Sequence, residues 1–442
     1  MAKAKLAPHM VMADENGNVY DDPHLLMLCR RGGEWALPRP DELVPLPRES
    51  ELFLLPGRRA VGFDPAGGVV ERVEQTAVAA FAAPGHTLSA HPAYSTSADA
   101  AILPLFAYGA VGFAQDRLYI CAHRVDTDTR QQFAHIPKSR IEGEARRLLR
   151  QYPHNRLIRH IISNCVLRYA CPAARNFVLG RYEAPLPTQR ACNARCLGCI
   201  SAREADSPVP ATPQCRLFFR PDPEEIVEIM RLHQQRETGQ PIYSFGQGCE
   251  GDPLMDAELL AQSIEMFRAA GGKGTINCNT NAGLTRAVIR LAEAGLTSLR
   301  VSLNSVREDI YRLYYRPQQY TLDDVRASVR EARIRGLFVS LNLLFFPGVT
   351  DTEDELAALS SFVQENGVSM IQWRNLNIDP EWYFSMTHAL GNPSPCMGLA
   401  AFMKRLKKSC PWLRYGYFNP WLGERAEIAA PMPDTGAGGW PR

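Results

Sequence analysis

Hydrophobic positions along the 442-residue chain change their period twice. Up to about residue 135 they come in short continuous or alternating runs, such as 52–56, 68–73, 102–106 and 118–122, broken by Pro and Gly. Runs of this kind predict strands, so 1–135 reads as a small β-rich domain. Over 136–180 apolar residues recur every three or four positions among many arginines. That spacing predicts a linker of two helices, at 140–151 and 155–169.

From 181 to 375 the two patterns alternate. A short run at 182–187 precedes five helix–strand pairs: 222–236 with 241–245, 256–270 with 274–278, 284–294 with 298–303, 322–335 with 337–345, and 352–366 with 369–374. Asp222 and Asp256 stand where N-caps are expected. Strands alternating with amphipathic helices predict an α/β fold on a parallel sheet, with functional groups on loops at the carboxyl ends of the strands. Residues 376–442 form a C-terminal extension. Its end, 423–442, is rich in Gly, Pro and Ala and is expected to fray.

Composition narrows the class. With 45% hydrophobic and 22% charged residues the chain is globular, and its formal charge of +2 gives no strong field for nucleic acid. Nucleic-acid binding is not indicated. No uninterrupted apolar stretch reaches the roughly 18 residues of a membrane span, and residues 1–22 lack the apolar core of a secretion leader. A cytoplasmic protein without membrane contact is expected. Twelve irregularly spaced cysteines then read as reduced thiols, some of them metal ligands, rather than as a disulfide framework.

Three of those cysteines carry the chemistry. Cys192, Cys196 and Cys199 form C-x3-C-x2-C, close enough for one loop to hold three corners of an iron–sulfur cubane while leaving one iron open. An open iron can chelate a small molecule through an amine and a carboxylate. A zinc site would use paired C-x2-C knuckles, and no second knuckle accompanies this loop. A four-cysteine electron-transfer cluster would need one more ligand.

This loop, placed after the first strand, resembles the signature of the radical S-adenosylmethionine (SAM) superfamily. The resemblance covers about 181–375. It implies a partial (βα)6 TIM-like barrel, a 4Fe-4S cluster on Cys192, Cys196 and Cys199, and SAM on the open iron. It also implies reductive cleavage of SAM to a 5′-deoxyadenosyl radical that acts on a substrate the sequence does not name. A reduced flavodoxin or ferredoxin is the implied electron donor. The alternative is a non-enzymatic 4Fe-4S protein or regulator that keeps the loop.

Further segments resemble the family's SAM contacts. The stretch 246–254 is similar to its Gly-Gly-Glu-Pro turn, with Glu250-Gly251-Asp252 in the corresponding place, so Asp252 is implied to receive the SAM amino group, with Gln247 and Glu250 as rivals. Asn281 ends a run similar to Thr-Asn-Gly in which Ala282 stands at the glycine; Asn281 could equally be a turn residue in left-handed geometry. Arg300 to Asn304 resembles the Arg-Val-Ser-Leu-Asn run that implies Ser302 and Asn304 as ribose and carboxylate contacts, with Arg300 an ion-pair candidate. Arg316 follows a Tyr-x-x-x-Tyr-Arg-Pro-like stretch and is implied to bind the SAM carboxylate. Pro347 and Gly348 read as a turn and Asp351 as a helix cap.

The remaining cysteines read as small core residues, Cys249 being the exception because it lies beside the SAM turn. Trp373, Arg374 and Asn375 are substrate-contact candidates at the end of the sixth strand. Trp382, Tyr383, Trp412, Tyr415, Tyr417, Phe418 and Trp421 read as core or lid. His123, His154 and His160 receive no role.

Overall fold

The computed structural model describes residues 6–205, 207–209, 212–391 and 395–423. The fraying expected beyond Gly423 lies outside them. The N-terminal region is β-rich as expected. Nine strands, among them the long pair Glu51–Asp64 and Val69–Phe81, form an antiparallel sheet, with a separate three-stranded sheet of Cys29–Arg31, Glu34–Ala36 and His91–Pro92. The long hairpin loses register between Leu54 and Arg59. Pro56 and Gly57 lie there: Pro56 has no amide to give the ladder, and Gly57 adopts φ +69°.

The run 102–106 is not a strand. Its amides are used elsewhere: Leu103 N donates to Asp379 and Phe106 N to Asn377, so the segment is part of a domain contact rather than of a ladder. The linker holds Lys138–Gln151, then Arg156–His160 continuing as the π-helix Ile161–Arg168, and an additional helix Pro172–Val178. Asn155 caps the second of these, accepting from Ile158 N at 2.7 Å.

The second unit is built on seven parallel strands. Numbered from the first of them, they are β1 (Glu183–Leu186), β2 (Ile242–Phe245), β3 (Thr275–Thr280), β4 (Ser298–Leu303), β5 (Phe338–Phe345), β6 (Met370–Asn375) and β7 (Arg414–Gly416), paired in that order. No ladder joins β7 to β1 among the described residues, so the sheet is an open parallel array. The first six strands fall where the periodicity places them. β7 lies beyond the expected boundary at 375, and three residues are too few for a periodic signal.

Helices cover the sheet: α1 (Pro223–Arg236), α2 (Ala257–Ala269), α3 (Thr285–Ala294), α4 (Glu308–Tyr315), α5 (Leu322–Ile334), α6 (Glu353–Asn366), α7 (Pro380–His388) and α8 (Leu399–Ser409). Asp222 closes a capping box with Glu225 at the start of α1. Asp256 stands at the N-cap of α2 as expected, but its side chain takes no capping hydrogen bond and its carboxylate pairs with Arg220 at 2.6 Å. Asp351 does not cap α6. That place belongs to Thr352, while Asp351 accepts from the amides of Gly348 and Gly398. No helix among the described residues is long and apolar enough to cross a membrane.

Strands of a covered parallel sheet are expected to be apolar throughout. Here one alternate set is polar: Ser244 on β2, Asn277 and Asn279 on β3, Arg300 and Ser302 on β4, Ser340 and Asn342 on β5, Gln372 and Arg374 on β6. Register sets these side by side, with Asn279 opposite Arg300, Arg300 opposite Ser340, and Ser302 opposite Asn342. The other set, including Phe245, Cys278, Val301, Leu341 and Trp373, packs under the helices.

The N-terminal sheet docks on the tail of β6. Asn375 Oδ1 accepts from Leu88 N at 2.8 Å, Asn377 Oδ1 from Phe106 N at 2.6 Å, and Asp379 pairs with Arg58 at 2.8 Å with both side chains 2% exposed.

A three-cysteine loop over a polar cup

The loop after β1 is held by backbone bonds on two sides. On one, Arg195 N and Leu197 N donate to the carbonyls of Tyr315 and Tyr314 at the end of α4, both at 3.0 Å, and Gln318 N donates to Asn193 O at 2.8 Å. On the other, Gly251 N donates to Gln189 O at 2.8 Å and Asp252 N to Ala191 O at 2.9 Å. The glycine is a steric necessity: a Cβ at Gly251 would lie 2.0 Å from Ala191 O. Gly198 is held likewise, its Cβ position 2.6 Å from Asn377 O.

Cys192, Cys196 and Cys199 line two cavities, one on each side of the loop. The inner cavity, about 340 Å³, is the cup above the polar strand face. Gln247, Glu250, Gly251, Asp252, Asn281 and Ser302 line it, together with Asn279, Arg300 and Asn342. The outer one, about 360 Å³, is lined by Arg195, Arg203, Glu204, Arg216, Arg316 and Trp382.

Six of the eight expected SAM-contact residues therefore meet in one cup. Arg316 and Asn304 do not line it. Arg316 is in left-handed backbone geometry at the end of α4, and its guanidinium reaches Glu204 at 3.0 Å in the outer cavity. Asn304 is 2% exposed behind the wall, donating to Tyr383 Oη and Ile310 O. Cys249 is also outside the lining; its thiol pairs with that of Cys165. Of the sixth-strand candidates, Asn375 lines the cup, whereas Trp373 is fully buried against Phe345, Phe402 and Tyr415, and Arg374 stacks 3.9 Å over the Tyr417 ring.

Two of the cup's acids have defined local work. Glu250 takes the amides of Thr188, Gln189 and Gln247 at 2.6, 2.8 and 2.6 Å, which knots the glycine turn to the root of the cysteine loop. Burial pushes its carboxyl up to about 7 despite those amides. Asp252 accepts from Thr280 Oγ1, Asn281 N and Leu254 N, and burial raises it too. The left-handed residue of the next turn is Ala282, φ +58°, rather than Asn281. Asn281 instead bridges to the cysteine loop, donating to Asn193 Oδ1 at 2.7 Å.

The thiols fit a bound cluster electrostatically. Burial pushes Cys192 up to about 11, and Cys196 is raised by burial and then by its two neighbours Cys199 and Cys192. Burial also acts on Cys199, but the amides and hydroxyl of Ser201, the Ala202 amide and Arg216 outweigh it, and this thiol lies below its ordinary value. Cys199 raises both of the other thiols, so binding all three as thiolates calls for a cationic centre. No three His, Cys, Asp or Glu side chains among the described residues converge tightly enough for a single metal ion, and a cubane spreads its ligands further apart than one ion does.

Arg300, Asn279 and Asn342 were not among the expected site residues. The available signal was the polar alternation along strands that are otherwise apolar.

Residues 186–359 match the family model of the radical SAM superfamily. The chain is 30% identical over 196 residues to GTP 3′,8-cyclase from Paenarthrobacter nicotinovorans, covering 43% of this chain and 50% of that protein. It is 28% identical over 164 residues to the enzyme of the same name from Streptomyces coelicolor, covering 37% and 44%. The chain thus spans about half the length of the curated relatives it matches. Solved structures similar to it include anSMEcpe with bound AdoMet, at 15% identity and TM-score 0.35 over 44% of this chain and 52% of that one. Another is the FeFe-hydrogenase maturase HydG from Carboxydothermus hydrogenoformans, at 15% identity and TM-score 0.35 over 64% and 72%.

Proposed function

We propose that this chain, whose residues 186–359 are a radical SAM domain, is an enzyme that cleaves SAM reductively and uses the radical so formed on a substrate in the cup. The observation that carries the reading is the cup itself: three cysteines and six polar or glycine residues of the SAM-like segments line one cavity at the carboxyl ends of parallel strands. A protein that only stored a cluster would not need amide and carboxylate groups on that side of the loop.

Cys192, Cys196 and Cys199 would hold the 4Fe-4S cluster, and Gln247, Gly251, Asp252, Asn281 and Ser302 would hold SAM. The cluster and SAM supply, when bound, one-electron reduction and a 5′-deoxyadenosyl radical that abstracts a hydrogen atom. The chain supplies position and exclusion of water. Glu250, Asn281 and the Gly251–Gln189 bond fix the loop against the turn, and Asn375 and Asn377 carry the N-terminal sheet onto the rim.

Electrons would enter from the outer side, where Arg195, Arg203, Arg216 and Arg316 surround the loop with Glu204 between them. Among the described residues, four guanidiniums against one carboxylate suit an acidic carrier such as flavodoxin or ferredoxin. Anaerobic incubation of the iron- and sulfide-reconstituted chain with dithionite and SAM tests the proposal. Formation of 5′-deoxyadenosine and methionine is expected; a brown protein that forms neither product would refute it.

A further inference from the structure

Arg300 lies on the polar face of β4 and lines the cup beside Ser302. Two other guanidiniums with little exposure face a carboxylate, Arg31 facing Glu42 and Arg58 facing Asp379. Arg300 has none among the described residues. Its Nη1 donates to Gln372 Oε1 at 2.9 Å and Asn419 Oδ1 at 3.3 Å, and these two neutral amides hold the head in place. Nε is buried with no partner, and Nη2 makes no hydrogen bond to any described residue. The Nε–Nη2 edge is the one that matches two oxygens of a carboxylate or a phosphate.

The surroundings select the same ligand charge. The charged groups facing Arg300 are Arg374 on β6 and Glu183 on β1, with the Tyr417 phenol beyond β7. Glu183 is engaged by Asn419 Nδ2 at 2.7 Å, so two guanidiniums share one carboxylate that is already in use. Burial, and after it Arg374, pull Arg300 down to about 9, which still leaves it charged at neutral pH. Asn342, across the ladder from Ser302, donates to the Ser302 hydroxyl at 3.1 Å and keeps a buried amide oxygen without a donor. A half-buried cation with no carboxylate of its own, beside an unpaired buried acceptor, costs stability unless a ligand completes them.

We propose that the substrate of this cup carries an oxyanion, a carboxylate or a phosphate, which seats on the Nε–Nη2 edge of Arg300 below the SAM-contact residues. The inference rests on the radical SAM reading, and it adds the chemical class of the molecule acted on. A substrate hydroxyl or amine within reach of Asn342 Oδ1 would complete the second group.

The test uses the full chain, reconstituted anaerobically, in thermal unfolding with SAM alone, with SAM and 10 mM pyrophosphate, and with SAM and 10 mM succinate. One of the two anions is expected to raise the midpoint by about 2 °C or more over SAM alone, and which one does so separates phosphate from carboxylate. Arg300→Gln is expected to lose that increment while the shift given by SAM persists. Arg300→Lys keeps a charge for the buried amides, and it serves if the glutamine variant does not fold; it too should lose most of the increment, because a point charge lacks the fork. No increment from either anion, an equal increment in the variants, or loss of the SAM shift in Arg300→Lys would overturn the proposal. Failure of the radical SAM reading shows separately, as no SAM shift and no SAM cleavage in the unaltered chain.

Discussion

Gly251→Ala should disable the cluster loop while leaving the fold standing. The added Cβ falls 2.0 Å from Ala191 O and 2.7 Å from Ala191 C, both backbone atoms, so the loop must retreat by more than 1 Å. Retreat breaks the bonds Gly251 N to Gln189 O and Asp252 N to Ala191 O, worth about 1 kcal/mol each, on top of an overpacking cost of about 1–3 kcal/mol. The sum, about 3–5 kcal/mol, is an upper figure, because the loop can shift instead of the sheet. A catalytic group displaced by about 1 Å costs on the order of 100-fold in rate. Gly248→Ala is the matched control in the same turn: its Cβ would meet only the Ile200 methyl at 3.5 Å, an ordinary contact, and it adopts no left-handed φ. The assay is iron and sulfide per chain after reconstitution, then 5′-deoxyadenosine formed with dithionite. Gly251→Ala should lose most of both and Gly248→Ala little of either; equal behaviour of the two variants would refute the reasoning.

Glu355, fully buried on α6, is pushed up to about 7 by burial even though Ser305 Oγ and Val306 N donate to it. Its folded value lies above the ordinary 4.5, so the native state holds the proton more tightly. Stability should therefore fall as pH rises from about 4.5 to about 7, by up to about 3 kcal/mol for this group, with Glu250 acting in the same sense. Glu355→Gln should flatten that slope in thermal unfolding between pH 5 and 8; an unchanged slope refutes the assignment. Arg58→Met leaves the Asp379 carboxylate buried with only the amides of Leu103, Glu381 and Trp382, and should cost about 3 kcal/mol and open the N-terminal sheet to limited proteolysis. A loss under about 1 kcal/mol would count against a buried pair. At Ala282, with φ +58° and a fully buried methyl, glycine should change stability little, because relief of roughly 1 kcal/mol of backbone strain offsets the lost methyl, whereas valine should cost at least about 2 kcal/mol; similar unfolding midpoints for the two variants would refute this.

Much of the sheet was legible because each strand keeps apolar residues at alternate positions and five of the covering helices repeat at 3.6 residues. The cysteine loop was legible because its information is local, three sulfurs within eight residues. What escaped is set by distant atoms or by brevity. α4 is eight residues long, its three tyrosines read as a motif rather than as an element, and it serves as the rail to which Arg195 and Leu197 are bonded. The run 102–106 has a strand's composition, but its amides find side-chain acceptors more than 270 residues away. Arg316 and Asn304 sit at the expected sequence offsets from their motifs. Glu204 draws one to the outer cavity and Tyr383 holds the other behind the wall, and neither partner is visible from the motif.

The tail of β6 shows how such distant contacts bear on the chemistry. Asn375, Asn377 and Asp379 alternate, and each accepts a hydrogen bond from the N-terminal region, through Leu88, Phe106, Leu103 or Arg58. Asn375 and Asn377 also line the cup. From the other side, Arg203 spans the gap, donating to Leu197 O in the cysteine loop and to Pro104 O in the N-terminal region, both at 2.8 Å. The N-terminal region is therefore bonded both to the cup's wall and to the loop that carries the cysteines. Any displacement of the N-terminal sheet must move one of them relative to the other, so the cup and the loop keep their mutual position only while that sheet stays docked.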